Sequence, residues 1–359
     1  MRSESNGIAG AAPLGVALVG FGYSGRTIHA PLLSNTPGVV LHSVVSSNAS
    51  VVCEEYPDVQ VTSSLDEACR CPDVDVVVIA APNELHARLA HAALDAGKHV
   101  VIDKPFAISL SETDGLIAHA AAAGLKITAF QNRRWDADFL TLSRLLDQGA
   151  LGEIALFESR FDRFRPLVRD RWREKPGPGG GAWFDLGPHL LDQALLLFGQ
   201  PRSVFADILA QRHKAEVDDY FHVVLKYDRL RVVLRSGALV SGRGLRFAVY
   251  GHTGGYLKWG FDQQEAQLKQ GMRPGQLNWG EDPSPGTLSR TDGDVTLETE
   301  VANELGDYAN FYRLFAEAVL LDRDPPVTVD QIRRVMALIE WCVESAAQRR
   351  EFEVPPSVM

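Results

Sequence analysis

An aspartate and a histidine stand four positions apart in the stretch GGGAWFDLGPHLLDQ, residues 179–193. If this stretch is helical, Asp185 and His189 share one face, because residues four apart on a helix are neighbours. A carboxylate beside an imidazole can fix the ring and support its charged form, which suits general acid–base catalysis near neutral pH. The same spacing also occurs as a solvated surface pair, so the stretch alone leaves both interpretations open.

A lysine follows another apolar run in KHVVIDKP, where Asp103, Lys104 and Pro105 end a predicted strand. We expect them at the carboxyl ends of parallel strands, which is the edge where open α/β sheets bind ligands. The AAPNELH segment is expected at the same edge with Pro82, Asn83 and His86. A lysine there could donate a hydrogen bond to a substrate hydroxyl or to a cofactor ribose. The alternative is an ordinary surface lysine.

A glycine-rich sequence, G-F-G-Y-S-G, directly follows the first apolar run. Its spacing of Gly20, Gly22 and Gly25 is that of a dinucleotide-binding turn, where glycines permit a tight turn, a close approach to a pyrophosphate and close helix packing. We assign Tyr23 and Ser24 to the same cofactor-binding turn. A glycine-rich turn that binds no ligand is the alternative.

The end of the second predicted strand indicates which dinucleotide is bound. It reads VVSSNAS and lacks the acid that would bind the ribose 2′-hydroxyl of NAD and repel a 2′-phosphate. This favours NADP, with NAD still possible, and assigns Ser46, Ser47 and Asn48 to the cofactor. Arg26, directly after the third glycine, is the nearest cation able to reach a phosphate. Its other interpretation is a solvated arginine in the first helical turn.

Composition narrows the class of partner. The chain has 359 residues and a formal net charge of −10, which argues against nucleic acid because such binding needs clustered cations. No apolar run approaches the roughly 18 residues that span a bilayer, so we expect no membrane partner and a cytoplasmic location. Four cysteines are too few for a disulfide framework. Because Cys69 and Cys71 lack a second ligand pair for zinc, we expect no metal site.

The order of the predicted elements divides the chain into domains. Residues 1–13 are polar and small, and we expect a disordered tail there. Residues 14–132 alternate apolar strands with helices, which predicts a dinucleotide-binding Rossmann domain with a doubly wound parallel sheet. Residues 133–359 contain runs of strands joined by short turns, which predicts an α+β domain with a mixed or antiparallel sheet.

Three local expectations accompany this division. Pro31 is expected to interrupt the helix after the glycine turn. Residues 270–300 are rich in Gly, Pro, Asp and Ser, and predict a long surface excursion. The final helix, residues 328–350, opens with a T-x-x-Q capping box and could pack back on the first domain.

The motifs at residues 20–25, 81–86, 103–105 and 179–193 together resemble the Gfo/Idh/MocA family of NAD(P)-dependent oxidoreductases. Two further stretches, FQNRRWDADFLTL at 130–142 and RFRPLVRDRWREKPG at 163–177, resemble its NADP-dependent scyllo-inositol dehydrogenase branch. The resemblance implies a dinucleotide-binding domain and a C-terminal α/β domain whose large open sheet binds substrate and often forms the oligomer interface. It also implies a catalytic lysine, aspartate and histidine.

Carried over by motif, the catalytic roles fall to Lys104, Asp185 and His189. His189, held by Asp185, would take the hydroxyl proton while hydride leaves the same carbon for the nicotinamide, and Lys104 would stabilise charge on the substrate oxygen. The family usually has Glu where this chain has Asp103, and a small or apolar residue in place of Pro188. Proline is tolerated if it lies in the first turns of a helix.

Further residues are assigned to the cofactor or to its surroundings. Asn132 and Arg133 end the last strand of the first domain and could line the cleft, while Trp172 and Arg173 could cover the nicotinamide or bind substrate hydroxyls. Although the chain is acidic overall, six arginines lie close together in the sequence: Arg160, Arg163, Arg165, Arg169, Arg171 and Arg173. For these we favour salt bridges between subunits over substrate binding.

These expectations combine into one function. We expect an NADP-dependent dehydrogenase that interconverts a secondary alcohol and a ketone on a cyclic polyol or sugar, with scyllo-inositol first by resemblance, in a homodimer or homotetramer. The alternatives are an NAD-dependent sugar dehydrogenase or reductase and a catalytically silent dinucleotide-binding regulatory protein. The complete set of lysine, aspartate and histidine argues against the silent protein.

Overall fold

A computed structural model describes residues 12–355, so the predicted tail lies outside the described residues apart from Ala12 and Pro13. The chain forms two compact units. The first contains the residues up to Asn132 with Gln264–Trp279 and Asp307–Ile332, and the second contains Arg133–Gln263, Gly280–Gly306 and the residues from Arg333. Within the described range, every helix is too short or too polar to cross a bilayer.

Both units contain helices, and the described residues form ten α-helical segments. In chain order they are α1 (Ala30–Leu33), α2 (Ala49–Glu55), α3 (Leu65–Cys69), α4 (His86–Asp95), α5 (Leu110–Ala123), α6 (Ala137–Asp147), α7 (Gly181–Phe198), α8 (Gln264–Lys269), α9 (Ala309–Leu320) and α10 (Val329–Gln348). The capping box predicted for the last helix is confirmed, because the Thr328 amide donates to Gln331 Oε1 at 3.1 Å and the Gln331 amide donates to Thr328 Oγ1 at 3.4 Å.

A parallel sheet forms the centre of the first unit. Its strands are β1 (Leu14–Val19), β2 (Val39–Val45), β3 (Gln60–Thr62), β4 (Val76–Ile79), β5 (His99–Ile102) and β6 (Ile127–Ala129). They lie in the order β3-β2-β1-β4-β5-β6, and every neighbouring pair is parallel. The strands β1 and β4 are buried along their whole length, as expected where helices cover both faces. The doubly wound Rossmann sheet is therefore confirmed.

A mixed sheet forms the second unit. Its strands are β7 (Ile154–Arg160), β8 (Ser203–Leu209), β9 (Tyr220–Lys226), β10 (Arg231–Gly237), β11 (Leu245–Gly251), β12 (Gly254–Trp259), β13 (Gly286–Asp292), β14 (Val295–Val301) and β15 (Phe352–Glu353). The order is β14-β13-β12-β11-β7-β10-β9-β8-β15, in which β7 and β10 are parallel and the other neighbours are antiparallel. This confirms the mixed sheet of the predicted α+β domain.

The helix after the glycine turn is not interrupted at Pro31. A π-helical turn, Gly25–His29, leads directly into α1, and the Ala30 amide donates to the Gly25 carbonyl. Pro31 then lies in the first turn of α1, where an amide hydrogen has no partner within the helix. The expected interruption was wrong because α1 continues the π-helical turn directly, and Pro31 lies in the first turn of the α-helical segment.

The predicted excursion at residues 270–300 was also wrong in part. It contains the β13–β14 hairpin, whose turn includes Gly293 with φ of +58°. The second strand, VTLETEV, begins with alternating apolar and polar residues, but TLSRT of the first strand has a single apolar residue, and Gly, Pro and Asp residues surround both. The part before the hairpin, Gln264–Trp279, belongs to the first unit instead.

Candidate functional site

Motif residues of the first unit meet at one edge of its sheet. The glycine turn follows β1, Ser46–Asn48 follow β2, Pro82 and Asn83 follow β4, and Lys104 follows β5. Because all these strands are parallel, their carboxyl ends lie at the same edge. The sheet topology thus brings together the groups that sequence reasoning assigned to the cofactor in this unit.

The three motif glycines have different surroundings. A Cβ atom on Gly20 would lie 2.6 Å from the Ala80 carbonyl oxygen, and one on Gly25 would lie 2.0 Å from the Gly20 carbonyl oxygen. Gly20 also has a φ of +98°, which favours glycine. A Cβ on Gly22 would meet nothing within 4 Å. Packing therefore explains the outer glycines, whereas the open space at Gly22 fits the close approach of a dinucleotide diphosphate.

A buried polar chain connects the glycine turn to the residue before Lys104. The Ser24 hydroxyl donates to Asp103 Oδ2 at 2.6 Å, and His29 Nε2 lies 3.6 Å from the same oxygen. The other ring nitrogen of His29, Nδ1, lies 2.5 Å from the Tyr312 hydroxyl on α9. Burial raises the pKa of Asp103, but His29, Lys104 and Ser24 outweigh it and hold the pKa well below its usual range. Asp103 is therefore a buried carboxylate.

Lys104 is half-buried, and its backbone amide donates to Asp103 Oδ1 at 2.8 Å. The following residue, Pro105, is fixed by His86, whose Nδ1 lies 2.8 Å from the Pro105 carbonyl oxygen. His86 Nε2 lies 2.9 Å from the Ala81 carbonyl oxygen. Burial lowers the pKa of His86, so the neutral ring is favoured and donates to one of these carbonyls. His86 thus joins the loops after β4 and β5.

The residues predicted to select the cofactor have local partners. Arg26 is exposed, and its Nε donates to Glu55 Oε1 of α2 at 2.6 Å. Ser46 Oγ accepts from the Asn48 amide at 3.1 Å, while Ser47 and Asn48 are exposed. The Tyr23 hydroxyl donates to Glu265 Oε1 of α8 at 2.6 Å. Hydroxyl and amide groups therefore line the end of β2. The nearby cation, Arg26, is paired with Glu55.

In the second unit, α7 carries both Asp185 and His189. Its amino end is capped from a distance, because Asp218 Oδ2 accepts from the Trp183 amide at 2.6 Å. A Cβ on Gly181 would lie 2.0 Å from Asp218 Oδ1, and Gly181 has a φ of +87°. The third glycine of the GGG sequence thus makes room for this cap. Burial raises the pKa of Asp218 to about 6.

The acid and the histidine lie one helical turn apart on α7, as the spacing predicted. Asp185 Oδ1 is 3.7 Å from Arg173 Nε, and the buried His189 ring packs edge-on against Phe161 at 6.5 Å between centroids. Pro188 is the eighth residue of the helix, beyond its first turns, so the Phe184 carbonyl loses its usual amide donor. The helix continues past the proline to Phe198.

Two guanidinium groups also lie close to Phe161. The Arg246 and Arg133 guanidinium carbons lie 4.3 Å and 4.9 Å from the centre of its ring. Arg133 lies in a 3₁₀ turn, Asn132–Trp135, and Asn132 is buried in the first unit. In a second 3₁₀ turn, Trp172–Glu174, the Arg173 guanidinium lies 5.0 Å from the Trp172 ring centre.

Sequence reasoning missed several partners because they lie far along the chain. His29, Tyr312 and Asp218 carry no motif of their own, and only folding brings them to Asp103 and Gly181. It also missed a group of metal-ligating types: His42 Nε2 lies 3.7 Å from Cys71 Sγ and 3.9 Å from Asp73 Oδ2. The three come from β2 and the loop before β4, so no spacing rule joins them.

Comparisons with known proteins cover nearly the whole chain. Residues 14–131 match the oxidoreductase family model of the NAD-binding Rossmann fold, and residues 143–354 match the model of the C-terminal α/β domain. The uncharacterised oxidoreductase YdgJ of Escherichia coli is 46% identical over 93% of this chain and 96% of its own length. The scyllo-inositol 2-dehydrogenase (NADP(+)) IolW of Bacillus subtilis is 35% identical over 93% and 94%.

A solved structure agrees with these matches. The YPO2259 protein of Yersinia pestis has a TM-score of 0.92 and 43% identity, covering 96% of this chain and 98% of that one. Two consecutive family models, a similar fold and the glycine turn at the sheet edge all indicate one kind of protein, an oxidoreductase with a nicotinamide dinucleotide cofactor. The chain belongs to the Gfo/Idh/MocA family of oxidoreductases.

Proposed function

We propose that this enzyme is an NADP-dependent dehydrogenase that interconverts a secondary alcohol and a ketone on a cyclic polyol or sugar. The observation that carries the proposal is the open space at Gly22, between two glycines that are closed by packing. The end of β2 supports NADP, because Ser46, Ser47 and Asn48 present no carboxylate to repel a 2′-phosphate. Scyllo-inositol is the first candidate substrate, because the 35% identical relative IolW is a scyllo-inositol 2-dehydrogenase.

The proposed cofactor residues lie in the glycine turn and at the strand ends. Gly20, Gly22, Tyr23, Ser24, Gly25 and Arg26 would hold the diphosphate and its ribose, and Ser46, Ser47 and Asn48 would hold the adenosine phosphate. The remaining members of the set are Pro82, Asn83, His86, Asp103, Lys104, Asn132, Trp172 and Arg173. A bound NADP would supply the hydride acceptor in oxidation.

The proposed catalytic residues act on the proton and on charge. His189 takes the proton of the substrate hydroxyl, and Asp185, one turn earlier on α7, supports the charged form of the ring. Lys104 donates a hydrogen bond to the same substrate oxygen and stabilises its negative charge. Asp103 holds the Lys104 amide and so fixes the start of the turn that carries the lysine.

The test is the absorbance of reduced nicotinamide during incubation with NADP or NAD and a panel of inositols and aldoses. Turnover with a polyol and a preference for NADP are expected. His189→Asn should lower kcat by about 10²- to 10⁴-fold, the usual contribution of a general base, while NADPH still binds. The control is His252→Asn, an exposed histidine of the second unit. Unchanged turnover in His189→Asn contradicts the mechanism, and cofactor binding without turnover of any substrate favours a regulatory protein.

A further inference from the structure

A pocket in the second unit lies beside Asp185 and is lined by an unusual number of cations. Its charged lining residues are Arg163, Arg165, Arg171, Arg173, Arg212, Glu174, Asp185, Asp218 and Asp219. Gly181 and Ala182, the first residues of α7, also line it. Five arginines thus face four acids in a space that adjoins a proposed catalytic side chain.

Most of the acids in this pocket are already engaged. Glu174 accepts from Arg171 Nε at 2.7 Å and lies 3.1 Å from Arg212 Nη2. Asp219 accepts from Arg212 Nε at 2.7 Å and from the Gln211 amide at 2.8 Å. Asp218 caps α7 through the Trp183 amide. These contacts pair Arg171 and Arg212 with acids, and Asp185 lies 3.7 Å from Arg173.

Arg165 is an arginine of this pocket that has more cations than acids around it. It is half-buried, and Asp185 lines the same pocket. Burial lowers its pKa, the neighbouring Arg163, Arg169 and Arg171 lower it further, and Asp185 only partly offsets them. A partly desolvated cation among other cations raises the free energy of the folded protein unless an anion binds there. Such electrostatic cost is typical of ligand sites.

We propose that the pocket around Arg165 binds a carboxylate or phosphate group of the substrate. The inference rests on the proposed function, because it places that anion beside Asp185. It narrows the substrate class from polyols and sugars in general to those that carry an acidic or phosphorylated group. A guanidinium group suits either anion, since its donors match two oxygens at once. Scyllo-inositol is neutral and would supply no anion to this pocket, so it should be a poorer substrate than an acidic or phosphorylated analogue.

The first experiment measures anion binding without turnover. Inorganic phosphate is titrated into the full-length protein at constant ionic strength, with binding followed by calorimetry and by the shift in Tm. Arg165→Gln should weaken phosphate binding by at least about tenfold, the effect of losing one charged hydrogen bond. Arg165→Lys keeps the charge and should restore part of the affinity. The matched control is Arg290→Gln, an exposed arginine of β13 whose partner Gly254 begins β12.

The second experiment measures NADP reduction with matched substrates: a neutral sugar or inositol, the corresponding sugar acid and the corresponding phosphate ester. The acid or the ester should have a kcat/KM at least about tenfold above that of the neutral compound, and Arg165→Gln should abolish that preference through KM. The two anionic compounds distinguish a carboxylate from a phosphate.

The outcomes separate this inference from the proposed function. If neutral polyols are oxidised best and Arg165→Gln changes neither KM nor phosphate affinity, the anion site is wrong while the dehydrogenase stands. If phosphate binding depends on Arg165 but no polyol is oxidised, the proposed function fails and the anion site stands. If Arg165→Gln alters only the oligomeric state in sedimentation, the arginine contacts a second copy of the chain and the inference is overturned.

Discussion

Ser24 donates a hydrogen bond to Asp103 at 2.6 Å and thereby joins the glycine turn to the residue that precedes Lys104. The two residues follow different strands, β1 and β5, which are separated in the sheet by β4. One partly buried hydrogen bond therefore joins the loop of the proposed diphosphate site to the loop of the proposed catalytic lysine. A change in the position of either loop should therefore change the position of the other.

Ser24→Ala removes this contact and leaves Asp103 with fewer donors. Because Asp103 is a buried carboxylate, the free energy of unfolding should fall by about 1.5–3 kcal/mol, the usual effect of a hydrogen bond to a charged group. Urea unfolding at pH 7 measures the change. Ser47→Ala, at an exposed serine after β2, is the control and should leave stability unaltered. An equal stability of both variants would show that the hydrogen bond contributes nothing.

Gly22→Ala should separate cofactor binding from folding. The new methyl group meets no protein atom within 4 Å, so the free energy of unfolding should stay the same or rise by up to about 1 kcal/mol. Affinity for NADPH should fall by at least about tenfold, because the methyl group would displace a diphosphate from the backbone. Calorimetric titration measures the affinity, and wild-type affinity in the variant would exclude Gly22 from the cofactor site.

Gly25→Ala is the contrasting change in the same turn. Its methyl group would lie 2.0 Å from the Gly20 carbonyl oxygen, so this variant should lose stability as well as affinity.

Gly181→Ala should destabilise the second unit. A methyl group there lies 2.0 Å from Asp218 Oδ1, and the φ of +87° is one that alanine rarely adopts. We expect the free energy of unfolding to fall by about 1–3 kcal/mol from the backbone conformation alone. The control is Gly177→Ala, since a methyl group on Gly177 meets nothing within 4 Å. Similar urea midpoints for the two variants would contradict the proposed role of the third glycine.

Asp218→Asn should make stability less dependent on pH. The pKa of Asp218 is raised by burial to about 6, above the usual value of 3.8, so the folded protein binds a proton that the unfolded chain releases between these values. The wild-type contribution is therefore greatest below pH 4 and is lost as pH rises through 6. Asparagine keeps an oxygen acceptor for the Trp183 amide but does not titrate.

The free energy of unfolding of Asp218→Asn relative to wild type should consequently increase between pH 4 and pH 6.5, by about 2–3 kcal/mol for a shift of this size, and change little above that. Urea unfolding at several pH values measures this difference. A difference that stays constant across the range would show that Asp218 does not titrate there.

The first unit could be predicted because its signals are local. Each strand of its sheet is a short apolar run such as VVVI, and each glycine requirement is set by neighbours only a few residues away or on the adjacent strand. The order of strand and helix then fixes the parallel sheet and the edge at which Lys104 and Gly22 meet. The glycine motif then predicted a cofactor-binding role for Gly22, and the resemblance to the family predicted catalytic roles for Lys104 and His189.

Other parts of the structure depend on contacts that no local pattern encodes. Gln264–Trp279 and Asp307–Ile332 return to the first unit after a long run of strands, and α9 supplies Tyr312 to His29. In the sequence, Asp218 is not distinguished from any other acid that precedes a strand. Its role as the cap of α7 is visible only in the folded chain. The β13–β14 hairpin was missed because the alternation in its first strand is weak and Gly, Pro and Asp residues surround both strands.

The cap on α7 also bears on the order in which the chain acquires structure. Asp218 follows Trp183 by 35 residues, so a growing polypeptide that has just completed α7 still lacks the acceptor for that amide. The link between β8 and β9 must be synthesised and folded before the amino end of the helix gains its partner. A chain truncated before residue 218 lacks this acceptor, so α7, which carries Asp185 and His189, should be frayed at its start.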